Sequence, residues 1–177
     1  NERHNTVAQR LGFYYNDSVD EMVEVEWMAQ ACKRQLWTEL RRLEPNSEYT
    51  KQTLQQLWQA MRLDFTDGVI SISDWDYLKH RYFEHPDNGY HACVVRHRLS
   101  KRPYGMVIYR QHSDELELLD IIAPLQAIPT IINHTRKLVG CLGLSRLYCW
   151  ITDAYAQHFT TTGGIKRKLG IPIPTIS

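Results

Sequence analysis

A chain of 177 residues with 43% hydrophobic and 23% charged side chains has room for one ordinary domain, or one domain and part of another, but two complete domains would be cramped. These values argue against wholesale disorder. The formal charge of +1 gives no overall footprint for nucleic acid or an anionic membrane, so neither partner is expected.

Asn1–Leu11 has helix-forming content that ends at Gly12. Phe13–Tyr15 then turns through Asn16-Asp17-Ser18 toward a half-exposed strand in which Met22, Val23 and Val25 mix with acidic residues. A hairpin or strand pair is expected there. From Trp27 to Leu43, the apolar positions Met28, Ala31, Cys32, Leu36, Leu40 and Leu43 recur at three-to-four spacing, which predicts an amphipathic helix ended by Glu44-Pro45-Asn46. A second helix fits Thr50–Leu63, with Leu54, Leu57, Trp58 and Met61 inward.

Gly68–Ser73 reads as a short strand. Ser73 with Asp76 forms a capping-box-like start for a helix running to His85-Pro86. Three strand-like runs follow, "YHACVVRH", "YGMVIYRQ" and "ELELLDIIA", joined by short links that suit an antiparallel meander. A helix from Pro129 to Leu142 and the strand "SRLYCWIT" come next. The last helical piece, "DAYAQHFTT", leads into "GGIKRKLGIPIPTIS", where no strand is expected and "GGIKRKLG" reads as a mobile connection rather than a phosphate loop. The predicted fold is α/β, with a mixed, largely antiparallel sheet flanked by helices.

Cys32, Cys93, Cys141 and Cys149 stand far apart without Cys-x-x-Cys or Cys/His ligand spacing, so reduced, mostly buried thiols are expected rather than a zinc or redox centre. His80 and His85 are five apart on a predicted helix, off the one-face spacing, and read as packed or solvated rather than as metal ligands. No metal is predicted. No apolar run approaches the roughly 20 residues of a membrane-spanning helix and no basic-then-apolar leader opens the chain, so a soluble, cytoplasmic protein is the expectation.

The order of elements resembles that of the GNAT (acyl-CoA N-acyltransferase) fold. "NERHNTVAQRLGF" is similar to the late motif of that family, N-x-x-A-x-x-L-Y-x-x-x-G-F, with Asn1, Val7, Gly12 and Phe13 in step and Ala8 at the tyrosine position. "DWDYLKHRYFEHPDNGYHACVV" is similar to YL-x-W-R-Y-x-x-H-P segments of certain bacterial acyltransferase-like proteins with two such domains, with His80 at the usual tryptophan. The resemblance implies that residues 1–26 are the tail of a first GNAT-like domain, or a swapped or permuted closing element. Residues 27–49 would be a connecting helix, and 50–177 a GNAT-like domain lacking its last strands. The chain would then be a piece of a tandem protein, with a homodimer or a partner GNAT domain as possible arrangements.

The resemblance also implies an acyl-CoA site. Backbone groups of Ile121, Ile122, Ala123, Thr130 and Ile131 fall at the family positions for acetyl-CoA or another acyl-CoA. The pyrophosphate pattern R/Q-x-x-G-x-G/A departs at every position, however. Ala127, Thr130 and Ile132 replace its residues, Pro129 removes a donor, and shifting the frame to Gln126 places Pro129 and Ile131 where glycines belong. For catalysis the candidates are Asp120, as a proton relay from an incoming amine, and Tyr155 or His158, in place of the family's tyrosine acid, where this chain has Thr160. Each also reads as an ordinary surface, packing or hydrogen-bonded residue. The basic run Arg96, Arg98, Lys101, Arg102 and Arg110 beside Tyr104 and Tyr109 reads either as a solvated hairpin or as a receiver for the phosphate of CoA or a nucleotide sugar. Two functions follow. One is transfer of an acyl group, such as acetyl, from CoA to a small-molecule amine or sugar acceptor. The other is a non-catalytic GNAT-fold binding or dimerisation module that has lost its pyrophosphate loop.

Overall fold

The computed structural model describes residues 21–64, 75–85 and 89–172. The expected opening helix, the turn after it, the Gly68–Ser73 strand and the Ser73 cap lie outside those residues. The described elements are β1 (Glu21–Met28), β2 (Thr38–Arg42), α1 (Glu48–Arg62), α2 (Trp75–Leu78, continued by a π-helical turn over Lys79–Phe83), β3 (Tyr90–His97), β4 (Pro103–Gln111), β5 (Glu115–Ile122), α3 (Ile128–Cys141), β6 (Arg146–Thr152), α4 (Ala156–Thr160) and β7 (Ile165–Pro172). The strands form one seven-stranded sheet in the order β2-β3-β4-β5-β6-β1-β7. Every neighbouring pair is antiparallel except β5–β6. This is the mixed, largely antiparallel sheet that the sequence predicts.

Two apolar layers cover the sheet. On one face α3 and α4 seal Val23, Val25, Val95, Val107, Leu116, Leu118, Leu147 and Cys149, with Ile131 and Ile132 fully buried between them. On the other, α1 and α2 cover Ala92, Val94, Met106, Ile108 and Ile122 with Leu54, Leu57, Met61, Leu78 and Tyr82. Helix α1 starts where Ser47 accepts a hydrogen bond from the Thr50 backbone N–H at 3.1 Å. Its Leu54, Leu57 and Met61 recur at the three-to-four spacing that puts them on one buried stripe. In α3, Pro129 sits in the first turn, where its missing N–H costs nothing.

Three expectations are corrected. Trp27–Leu43 is not a helix. Its first two residues end β1, Thr38–Arg42 is β2, and the connection between is irregular. The apolar spacing there marks no single core face, because Met28 is 67% and Leu36 83% exposed while Leu40 and Leu43 pack on opposite apolar layers, and pairing of β2 with β3 from Thr38↔His97 to Arg42↔Cys93 decides the backbone. The segment after the last helix is not a loose connection. Ile165–Pro172 is an edge strand paired with β1. Cys32 and Cys141, 109 residues apart, form a disulfide, while Cys93 and Cys149 are the buried free thiols.

Strand β1 lies between β6 and β7, and charge holds it there. Glu26, 8% exposed, accepts from Arg146 Nη1 at 2.5 Å and also pairs with Arg167 of β7. Arg146 reaches Glu115 of β5 at 2.6 Å, so one guanidinium ties β5, β6 and β1 together. A carboxylate this buried is tolerated because both its oxygens are satisfied.

Candidate functional site

Parallel pairing of β5 with β6 runs from Glu115↔Arg146 to Leu118↔Cys149 and then stops. Both strands continue. Strand β5 stays paired with β4 as far as Ile122, and β6 with β1 as far as Thr152. Each strand is therefore held from outside while the inner edges, Leu119–Ile122 and Trp150–Thr152, diverge. A register shift between β4 and β5 opposite Ile108 and Tyr109 coincides with the divergence. An extra residue of this kind re-aims the side chains beside it.

The resulting cleft has a volume of about 510 Å³, within the range of small-molecule sites. Met22, Met61, Leu125, Ile128 and Phe159 give it apolar walls, and Asp120, Thr152 and Tyr155 bring polar groups to it. Two diverging strand edges offer backbone donors and acceptors to an extended arm, which can bind as an added strand does. Cys149 also lines the cleft, but burial pushes its thiol up to about 12, so it stays protonated and is no nucleophile.

Of the sequence candidates, Asp120 and Tyr155 both line this cleft, as do Ile121 and Ala123. Asp120 lies on β5 and accepts from the Tyr82 hydroxyl at 3.3 Å. The Tyr82 oxygen in turn accepts from Arg81 Nε at 3.0 Å. Burial raises the Asp120 carboxyl above the usual aspartate range, against the opposing pull of Tyr82 and Arg81. The remaining candidates sit elsewhere. Ile122 packs under α1 and α2, and Ile131 is fully buried, inserted where Gly105 leaves room, since a Cβ at Gly105 would stand 2.2 Å from Ile131 Cδ1. Thr130 and His158 are half-buried on α3 and α4 and are not among the lining residues.

At the entrance to α3, Leu125–Ala127 form a 3-10 turn in which the Ala127 N–H bonds the Pro124 carbonyl at 2.9 Å. The Leu125 N–H donates to the Asp64 carboxylate at 2.6 Å. A carboxylate of the chain therefore occupies one backbone donor at this end of the cleft. Sequence reasoning missed Tyr82, Thr152 and Asp64. Asp64 directly follows a predicted helix end, and its acidity was the one local signal.

Four cations of the basic run are engaged in ion pairs. Arg96, Arg98 and Lys101 all reach the Glu39 carboxylate, at 2.9, 3.3 and 3.4 Å, and Arg110 pairs with Glu117 at 2.7 Å. His80 bonds Glu84, and the His85 ring meets Tyr90 edge-on. Among the described residues no three His, Cys, Asp or Glu side chains group as a metal site, and no helix is long and apolar enough to cross a membrane.

No protein-family model matches this sequence, and no curated protein matches it significantly. Solved structures do match the fold. A functionally unknown conserved protein from Staphylococcus epidermidis superposes with a TM-score of 0.61 at 12% identity, over 95% of this chain and 64% of its own. A GCN5-related N-acetyltransferase from Kribbella flavida gives 0.56 at 11% identity, over 93% of this chain and 39% of its own. The spermidine N-acetyltransferase from Vibrio cholerae, solved with CoA and spermine, gives 0.55 at 18% identity, over 80% and 88%. The chain thus has the GNAT acyltransferase fold, and it spans under two thirds of the first two of these proteins.

Proposed function

We propose that this chain is an acyltransferase-type protein that takes an acyl thioester, as in acetyl-CoA, into the β5–β6 cleft and passes the acyl group to a small amine or amino-sugar acceptor. The observation that carries this reading is the apolar cleft between two diverging strand edges with Asp120 and Tyr155 on its lining. The acceptor nitrogen attacks the thioester carbonyl. Asp120 takes the proton that the nitrogen loses, and the C–S bond breaks as the Tyr155 hydroxyl gives a proton to the departing sulfur. Tyr82 and Arg81 hold Asp120 in place. The donor is gripped by its thioester arm, because Pro129 and the Asp64–Leu125 bond leave little at the entrance to α3 for a pyrophosphate. Of residues 1–26, we further read the described part, 21–26, as a closing element of this same sheet, which the place of β1 between β6 and β7 supports.

That same Asp64–Leu125 contact favours a second reading, a GNAT-fold module that binds a ligand without transferring it. Release of free thiol from acetyl-CoA in the presence of primary amines separates the two. The transferase reading expects amine-dependent release, reduced about a hundredfold or more in Asp120→Asn, with donor affinity retained. Donor binding without thiol release for any amine would reject it and leave the module.

A further inference from the structure

A second cavity, of about 490 Å³, lies near the other end of α3, between that helix, β2 and the segment 29–37 that crosses from β1 to β2. Its lining residue Lys137 is nine positions beyond Ile128 of the cleft, about 14 Å along the helix at 1.5 Å per residue. The two cavities are separate places in the fold.

The crossing segment is fixed to α3 in three ways. The Gln30 N–H donates to the Arg136 carbonyl at 3.0 Å, Cys32 is bonded to Cys141, and Gly140 lets the backbones touch, since a Cβ there would stand 1.9 Å from the Gln30 oxygen. This anchoring brings Lys33 and Arg34 to the cavity, where Lys137 of α3 and Arg98 from the end of β3 join them. The one carboxylate on the lining, Glu39, is already shared by Arg96, Arg98 and Lys101. With Arg98 and Glu39 paired to each other, Lys33, Arg34 and Lys137 remain as three further cations facing one cavity. His134 completes it, 6% exposed, with Nε2 2.7 Å from Thr38 Oγ1. Like charges brought together in a concave site repel one another, and a bound anion relieves that repulsion.

We propose that this cavity binds a phosphate-bearing small molecule, its phosphate held by Lys33, Arg34 and Lys137. The site lies outside the acyl-transfer reading and stands or falls independently of it. The volume exceeds what a lone phosphate fills, so the ligand carries an organic part lying toward Leu40 and Leu138.

The test is calorimetric titration of the full oxidised chain with inorganic phosphate and with phenyl phosphate, against sodium chloride at matched ionic strength. Saturable binding of both, tighter for phenyl phosphate, is expected. The double variant Arg34→Gln/Lys137→Gln should weaken it about tenfold or more with a melting temperature no lower than that of the wild type in the absence of ligand. Bound phosphate should also raise the His134 pKa from its value of about 4, followed by the imidazole proton shifts in NMR. A response that does not saturate, or one that the double variant leaves intact, overturns the proposal. Binding of inorganic phosphate alone assigns the site to the free ion and overturns it as a site for a phosphorylated molecule.

Discussion

His134 offers a stability test with a defined pH window. Burial, helped by the Lys137 and Arg98 charges, pushes its imidazole from 6.5 down to about 4. Thr38 is its hydrogen-bond partner, and at 6% exposure little solvent screens the ring. As pH falls below 6.5 the unfolded chain takes up a proton that the folded chain refuses until about pH 4. The contribution is therefore fully present above the unfolded value and lost as pH falls through the folded one. Each unit of difference corresponds to about 1.4 kcal/mol, so the shift amounts to about 3 kcal/mol in all. Urea denaturation of wild type and His134→Gln at half-unit steps from pH 7 to pH 4 isolates this contribution, because titration of the carboxylates is common to both. The stability difference, wild type minus variant, should fall by about 3 kcal/mol across the window. A difference that stays constant would show that His134 protonates freely in the folded chain and would refute the reasoning.

Asp64→Ala frees the Leu125 N–H and should improve CoA affinity by about tenfold while leaving that for acetyl-pantetheine unchanged, as measured by calorimetry. Gly140→Ala places a Cβ 1.9 Å from the Gln30 oxygen and should cost about 2 kcal/mol, read as a lower urea midpoint. Arg146→Met leaves Glu26 with Arg167 alone and removes the partner of Glu115. It should lower stability by about 2 kcal/mol, read as a lower urea midpoint.

The elements that local patterning encodes strongly were legible in the sequence. Helix α1 carries its cap and its buried stripe within fifteen residues, and the β3–β4–β5 meander is joined by short links. Misread elements depend on distant partners. Strand β2 has five residues and gets its conformation from β3, more than fifty positions away. Strand β7 is rich in cations, and its stabilising partner is Glu26, 141 positions from Arg167. The Cys32–Cys141 bond joins residues whose neighbourhood no local spacing reveals. Asp120 is a candidate from its place on the strand before α3, and Tyr155 from lying a turn before Thr160 at the family's tyrosine position, whereas the closeness of Tyr82 to Asp120 depends on how α2 packs over β5. Thr130 and Ile131 rest on a backbone position in a family loop pattern from which this chain departs, and both lie in α3, with the Ile131 side chain in the core.

In the acyl-transfer reading proposed above, the β5–β6 cleft holds a thioester arm without relying on a pyrophosphate grip. Calorimetric titration of the chain with acetyl-pantetheine, beside adenosine 3′,5′-bisphosphate, tests it directly. Saturable binding of acetyl-pantetheine, lost in the cleft-filling variant Thr152→Trp, with none for the bisphosphate, is the predicted result. Binding of the bisphosphate without the arm, or of neither, would contradict it.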